Sequence, residues 1–168
     1  MIYTMMTIQN MVVVKSMIGH NIKLRKQRHE WSCGLACVAM IANKPYNTVV
    51  ADLEDMYETL YWNYLNKSKQ WVIGYGTTTA DLYELFADYG VTSNQRMIRY
   101  KGRDALPELS ILAINERYEI INDRKALCWH WVVCKREGRK FKIFDPWIGE
   151  RSLQSLGRGI ESYIRIHT

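Results

Sequence analysis

The stretch Gln27-Arg28-His29-Glu30-Trp31-Ser32-Cys33-Gly34-Leu35-Ala36-Cys37-Val38-Ala39-Met40 decides how this chain is read. It opens polar, passes through Trp-Ser-Cys-Gly, and runs on as small apolar residues that suit a buried helix. Ser32 is a natural N-cap, because its hydroxyl can accept from a free backbone N–H one turn on. Cys33 then becomes the first helical residue, where unpaired N–H groups and the helix dipole favour negative charge. A thiol placed there loses its proton more easily, and the thiolate is the reactive species. The ordinary alternative is a cysteine buried in a core helix. This stretch alone leaves both open.

Composition narrows the class. A chain of 168 residues suits one domain and buries roughly two thirds of its unfolded surface. The expected organisation is a single domain over 1–168, with residues 1–23 as an N-terminal arm or strand. The net charge of +6 raises nucleic-acid binding, but the basic residues are scattered. The densest run, residues 23–28, is short and leads straight into the cysteine stretch. No nucleic-acid partner is expected. No apolar run approaches the ~18 residues of a membrane span, and residues 1–14 make a poor signal peptide. No membrane partner is expected either. Cys33, Cys37, Cys128 and Cys134 do not have the spacing of a secreted disulfide framework, so a reducing cytoplasm fits better.

Taken in order, the chain places helices first. The cysteine helix covers about 33–43 and ends near Pro45. Asn47 or Thr48 caps a second helix over about 49–66, in which Val50, Leu53, Met56, Tyr57, Leu60, Tyr61 and Tyr64 recur at three and four. Gly74-Tyr75-Gly76 reads as a turn or a close backbone approach. Thr77 and Thr78 cap a third helix over about 79–89, stopped by Gly90. Strands follow at about 91–100, 109–114, 127–135, 140–144 and 160–166. Glu137-Gly138 turns the hairpin between the third and fourth of these, and Asp145-Pro146 ends the fourth. Residues 115–125 are polar and read as an insertion. Helices followed by an antiparallel sheet predict an α+β fold.

Thiol catalysis needs a proton acceptor, a group to hold the imidazole, and donors for the oxyanion. His130 stands on the strand before the hairpin, and Asp145 ends the strand after it. Hairpin pairing brings them together, with the free ring nitrogen turned to Cys33. Taken singly, His130 would be a satisfied core histidine and Asp145 a turn-starting residue before proline. Their combination with Cys33 favours chemistry. His29, Cys33 and Cys37 at i, i+4 and i+8 also raise a zinc site, joined by Cys128, His130 and Cys134. Structural zinc prefers closer Cys-x-x-Cys pairs, so no metal and no cofactor is expected.

These motifs resemble the bacteriocin-processing, double-glycine peptidases, a group of papain-like cysteine proteases. The resemblance rests on Gln27 followed after five residues by Cys33-Gly34, on His130-Trp131-Val132-Val133, and on Asp145-Pro146. It covers roughly residues 24–155. It implies a papain-like fold with N-terminal helices packed on a C-terminal antiparallel sheet. It implies Cys33 as nucleophile, His130 as general base and acid, Asp145 as its orienting group and Gln27 as an oxyanion donor. From its own surroundings Gln27 would be a solvated loop residue. Ser32 stands where many members carry Asp, and the chain has neither the membrane helices nor the Walker loop of the transporter-linked members.

The resemblance further implies an endopeptidase that cuts a protein substrate after a Gly-Gly site held in a narrow slot. Trp131, Trp147, Tyr75 and Gly76 are the candidate substrate-binding residues, with Trp129 also available as a wall. The missing transporter segments and export signal favour, as the setting, the toxic domain of an antibacterial effector. Such a domain would act in the bacterial cytoplasm, delivered by a secretion system and restrained by an immunity protein. The alternatives are a leader-peptide maturation protease, a papain-like deamidase or acyltransferase, and a binding module without catalysis.

Overall fold

In the computed structural model the described residues are 21–29, 32–61, 77–121 and 124–168. The N-terminal arm up to residue 20, Trp31, the expected end of the second helix and Gly74-Tyr75-Gly76 all lie outside them. Three helices come first: α1 (Cys33–Ile41), α2 (Tyr46–Tyr61) and α3 (Thr79–Asp88). Six strands follow: β1 (Ile98–Arg99), β2 (Leu109–Ile121), β3 (Arg124–Glu137), β4 (Lys140–Asp145), β5 (Gly149–Ser152) and β6 (Ile160–Ile166). They form one sheet in the order β1-β6-β2-β3-β4-β5, antiparallel throughout. The expected α+β class, helices packed on an antiparallel sheet, is the one observed.

All nine residues of α1 are buried. A helix apolar all round must be enclosed, and α1 touches β3, α2 and α3. Its end is marked by Asn43 at φ 52°, a left-handed position that asparagine tolerates. Helix α2 starts one or two residues before the expected caps. The carbonyl of Pro45 accepts from the N–H of Val49 and closes the first turn. Tyr46, only 8% exposed, donates its hydroxyl to Ser32 and draws the helix start inward. Helix α3 begins with a reciprocal cap: Thr78 Oγ1 accepts from Asp81 N, while Asp81 Oδ2 accepts from Thr78 N at 2.7 Å. It buries Leu82, Leu85 and Phe86 and stops at Gly90, φ 66°. The hydroxyl of Tyr89 donates to Asp52 and ties this end to α2.

The sheet separates two apolar cores. On the helix side Trp131, Val133, Ile111 and Ile164 pack with α1, Leu53 and Phe86. On the other face Leu112, Ile114, Val132, Ile143 and Tyr163 are closed over by Leu106, Leu153 and Leu156, the last two from a 3-10 turn, Leu153–Leu156.

Three local expectations change. The strand expected over 91–100 shrinks to Ile98–Arg99 plus a single bridge from Ser93 to Ile166. The polar run between Val91 and Met97 instead follows the end of β6, with Asn94 N donating to the Arg165 carbonyl. Residues 115–121 and 124–125 are not a separate insertion but the far end of the β2–β3 pairing, from Arg117↔Cys128 to Ile121↔Arg124. There β2 has outrun β6, whose last partner on it is Ile114, and β3 has outrun β4, whose pairing begins at Val133. Among the described residues this end pairs with no third strand, and such a ribbon can be polar on both faces, which is why its sequence lacks the alternation of a core strand. Finally β5, not expected, folds back on β4 through a tight turn at Pro146-Trp147-Ile148.

Candidate active site

A β-bulge aims the hairpin at the head of α1. Ile114 faces His130 and Arg117 faces Cys128, so β2 carries one residue more than β3 between them. Bulges bend a strand and re-aim its side chains. Asn115 sits in this one at φ 55°, its N–H bonded to the Gly159 carbonyl. A Cβ on Gly159 would lie 2.5 Å from Asn115 Oδ1, so a side chain there would push the Asn115 amide aside.

Cys33, His130 and Asp145 come together as expected. His130 Nε2 lies 2.9 Å from Asp145 Oδ1, and the ring also bonds the side chain of Cys33. With Nε2 on the carboxylate, Nδ1 is the nitrogen left for sulfur. The backbone N–H of Trp131 points at Cys33 Sγ, 3.5 Å away. Asp145 is fully buried. Its Oδ1 also accepts from the N–H groups of Trp147 at 2.9 Å and Ile148 at 3.2 Å. These bonds are the side-chain turn that Asp before Pro favours, and the same carboxylate thus shapes the turn and holds the ring. Its Oδ2 faces Arg151 Nη2 at 2.8 Å, an ion pair without the alignment of a hydrogen bond.

The electrostatics follow. Burial pulls the His130 pKa down, but the bonds to Asp145 and Cys33 and their charges outweigh it and push the ring up to about 9. Burial raises Asp145, yet the bond from His130 and the N–H groups of Trp147 and Ile148 hold it below the usual carboxylate range. Cys37, one turn further into α1, is enclosed, and burial followed by the charges of Cys33 and Asp145 pushes its thiol well up. All four cysteines are free. Among the described residues no three His, Cys, Asp or Glu side chains gather as a metal site. No helix among them is long and apolar enough to cross a membrane.

A cleft of about 440 Å³ opens over this cluster, lined by Gln27, Cys33, Asn115, Arg117, Trp129, His130, Asp145, Trp147, Ile148 and Arg151. Gln27 is held at its edge. Its backbone N–H donates to Pro146 O at 3.1 Å, and its side-chain amide donates to His29 O at 2.8 Å. Two expectations need correction. Ser32 does not cap α1 through its side chain. Its hydroxyl donates instead to His29 O at 2.9 Å and accepts from Tyr46 at 2.7 Å. Trp131 is no cleft wall: at 1% exposed it lies in the helix-side core, and its Nε1 donates to the Thr77 carbonyl at 3.0 Å. It packs between α1 and the sheet beside Val133, two residues on along the same face of β3. Trp129, edge-on to Trp131 with ring centroids 5.5 Å apart, lines the cleft instead. Trp147 stands there as expected, 58% exposed. Tyr75 and Gly76 lie outside the described residues. Sequence reasoning missed Asn115 and Arg151. The available signals were an asparagine inside a strand-like run and a short alternating segment just past Asp145-Pro146.

No curated protein matches the chain. Among solved structures, the crystal structure of the Pseudomonas avirulence protein AvrPphB is similar at 13% identity with a TM-score of 0.42, covering 88% of this chain and 98% of that one. The sequence model of the peptidase C39 family matches residues 21–156, from ahead of Gln27 to beyond Arg151. A match across that much of the chain makes the protein a member of the peptidase C39 family, a cysteine peptidase.

Proposed function

We propose that Cys33, His130 and Asp145 form the catalytic triad of an endopeptidase that cuts a protein substrate after a Gly-Gly site. The observation that carries the reading is the alignment of a buried carboxylate, an imidazole 2.9 Å from it, and a thiol at a helix start bonded to the same ring. In the first step the Cys33 thiolate attacks the scissile carbonyl carbon, and the oxygen takes the negative charge. The Cys33 N–H and the Gln27 amide, whose plane is fixed by its bond to His29 O, are the donors that would meet that charge. The His130 imidazolium gives its proton to the departing amine, the C–N bond breaks, and a thioester remains. His130, now neutral, takes a proton from water as the water attacks the thioester. The carboxylic acid product leaves, and the thiolate–imidazolium pair is restored.

The specificity reading rests on bulk: Trp129, Trp147 and Ile148 stand around the cleft. A slot walled by large side chains rejects substituents by overlap, so glycine enters where larger residues do not. The test is a protein with one cleaved Gly-Gly site, each glycine changed in turn to alanine and to leucine. Cleavage is expected to fall at alanine and vanish at leucine; cleavage that survives both leucine changes overturns the slot. Mass spectrometry of the products separates peptide cleavage from deamidation or acyl transfer, which leave the backbone whole. The proposed setting is an effector's toxic domain that acts in the bacterial cytoplasm, with an immunity protein as partner. Cytoplasmic expression should then arrest growth, and Cys33→Ala should relieve the arrest. Growth without arrest, together with clean removal of a Gly-Gly leader, would favour maturation.

A further inference from the structure

We propose that Arg151 is a positioning residue for this site, the counter-ion that lets a fully charged Asp145 stand buried beside a thiolate–imidazolium pair. The inference rests on the triad reading above and adds a member to it.

Three donors converge on Asp145 Oδ1: His130 Nε2, Trp147 N and Ile148 N. Among the described residues, Oδ2 has only the guanidinium of Arg151, 2.8 Å away. Asp145 is 0% exposed and Arg151 20%. A buried carboxylate oxygen left without a partner is costly, and here β5 supplies a cation to face it. The register does it: Asp145 pairs with Gly149 and Ile143 with Arg151, so the side chains of Asp145 and Arg151 stand on one face of neighbouring strands. The buried Nε of Arg151 has no partner among the described residues, so the ion pair is the contact that fixes the guanidinium.

The count of charges makes the same point. A Cys33 thiolate and a His130 imidazolium cancel. Asp145 would then leave the buried cluster at −1, and Arg151 returns it to zero. A neutral amide at position 145 would not need Arg151; a carboxylate does. Among the described residues, the other charged or titratable groups facing His130 and Asp145 are Cys33 and Cys37 from α1 and Arg117 from β2. Lys26 is held nearby at the 146–149 turn through the Trp147 carbonyl. Removing Arg151 leaves the charge of Asp145 acting undivided on the ring, so the His130 titration should move up.

The experiment is a double-mutant cycle on the full chain with a cleaved Gly-Gly substrate, read alongside an NMR titration of the His130 ring. Arg151→Met should lower kcat about 10–100-fold, the order that outer hydrogen-bond partners are worth at metal centres. KM should stay within about twofold, and the His130 midpoint should move to higher pH. In the Asp145→Asn background the same change should cost little, because the charge it answers is gone. Arg151→Lys keeps the cation and should retain most of the activity and the wild-type midpoint; it decides the matter if Arg151→Met does not fold. A rise in KM alone would make Arg151 a substrate contact and overturn the proposal. So would equal losses in the wild-type and Asp145→Asn backgrounds, an unmoved His130 midpoint, or an Arg151→Lys variant as damaged as Asp145→Asn. Failure of the wild-type protein to cleave would instead strike the triad reading, since the ring titration needs no turnover.

Discussion

His130 sets the working range of the site, because its charge is decided by opposing influences. Burial disfavours the imidazolium, while Asp145 and Cys33 favour it more strongly, and the ring titrates at about 9. The folded value lies above the ~6.5 of an exposed histidine. The charged ring therefore contributes stability that is fully present below about pH 6.5 and is lost as pH rises through about 9. The same proton is the one the leaving amine needs. We expect kcat/KM to fall on the alkaline side with a midpoint near 9, measured on a peptide without titrating groups; a midpoint at the ordinary histidine value would contradict the His130–Asp145 coupling. Reactivity should also divide the cysteines. Cys33 lines the cleft, whereas Cys37 and Cys134 are enclosed, and burial pushes the Cys134 thiol up to about 12. Brief iodoacetamide treatment at neutral pH should alkylate Cys33 first, with half-buried Cys128 the nearest competitor, and should end activity in proportion. Gln27→Ala should cost about 100-fold or more in kcat if its amide meets the oxyanion; an unchanged rate removes it from the site.

Among the elements, the head of α1 is fixed by a close approach of the segment that leads into α3. A Cβ on Gly34 would lie 2.6 Å from Thr77 Cβ and 2.8 Å from its Cγ2. Thr77 is pinned by the bond from Trp131 Nε1 to its carbonyl, and Thr78 next to it by the reciprocal cap with Asp81. Neither can yield cheaply, so Gly34→Ala should cost about 1–3 kcal/mol as an overpacked core does. In a chain of this size that lowers Tm by several degrees. Thr78→Ala should cost about 1 kcal/mol through the lost cap, without the loss of activity expected from displacing Cys33. Chemical denaturation read beside kcat separates the two effects. An unchanged Tm in Gly34→Ala would mean that Thr77 is free to move.

Over the described molecule, Trp131 and Trp147 stand in opposite settings. Trp131 is sealed in the helix-side core and Trp147 stands 58% exposed over the cleft. Trp131→Phe leaves the Thr77 carbonyl without its buried donor and should destabilise by about 1–3 kcal/mol while leaving the preference for glycine intact. Trp147→Ala should do the reverse, leaving the unfolding midpoint in place and relaxing the penalty for alanine at the cut site. Differential scanning calorimetry and a matched set of Gly-Gly, Gly-Ala and Ala-Gly substrates test the pair together. A Trp147 variant that keeps full discrimination would move the slot elsewhere in the cleft.

Features that depend on local order were legible in the chain before any fold was known. The small apolar run after Cys33 had to be an enclosed helix. Thr77 or Thr78 had to cap α3, and Gly138 had to turn a hairpin that carries His130 and Asp145 on adjoining strands. Motif spacing likewise pointed to the family. The other features appear only once the chain is folded, because they come from partners far along it. Ser32 has the chemistry of an N-cap but spends its hydroxyl on Tyr46 and His29. Tyr46, not the polar Asn47 or Thr48, opens α2 because its ring is buried there. Trp131 reads as a pocket aromatic beside His130, yet packing against α1 and the bond to the Thr77 carbonyl enclose it. Arg151 reads as one arginine among many, and it meets Asp145 only because β5 folds back in a register that its short run, Gly149–Ser152, does not specify.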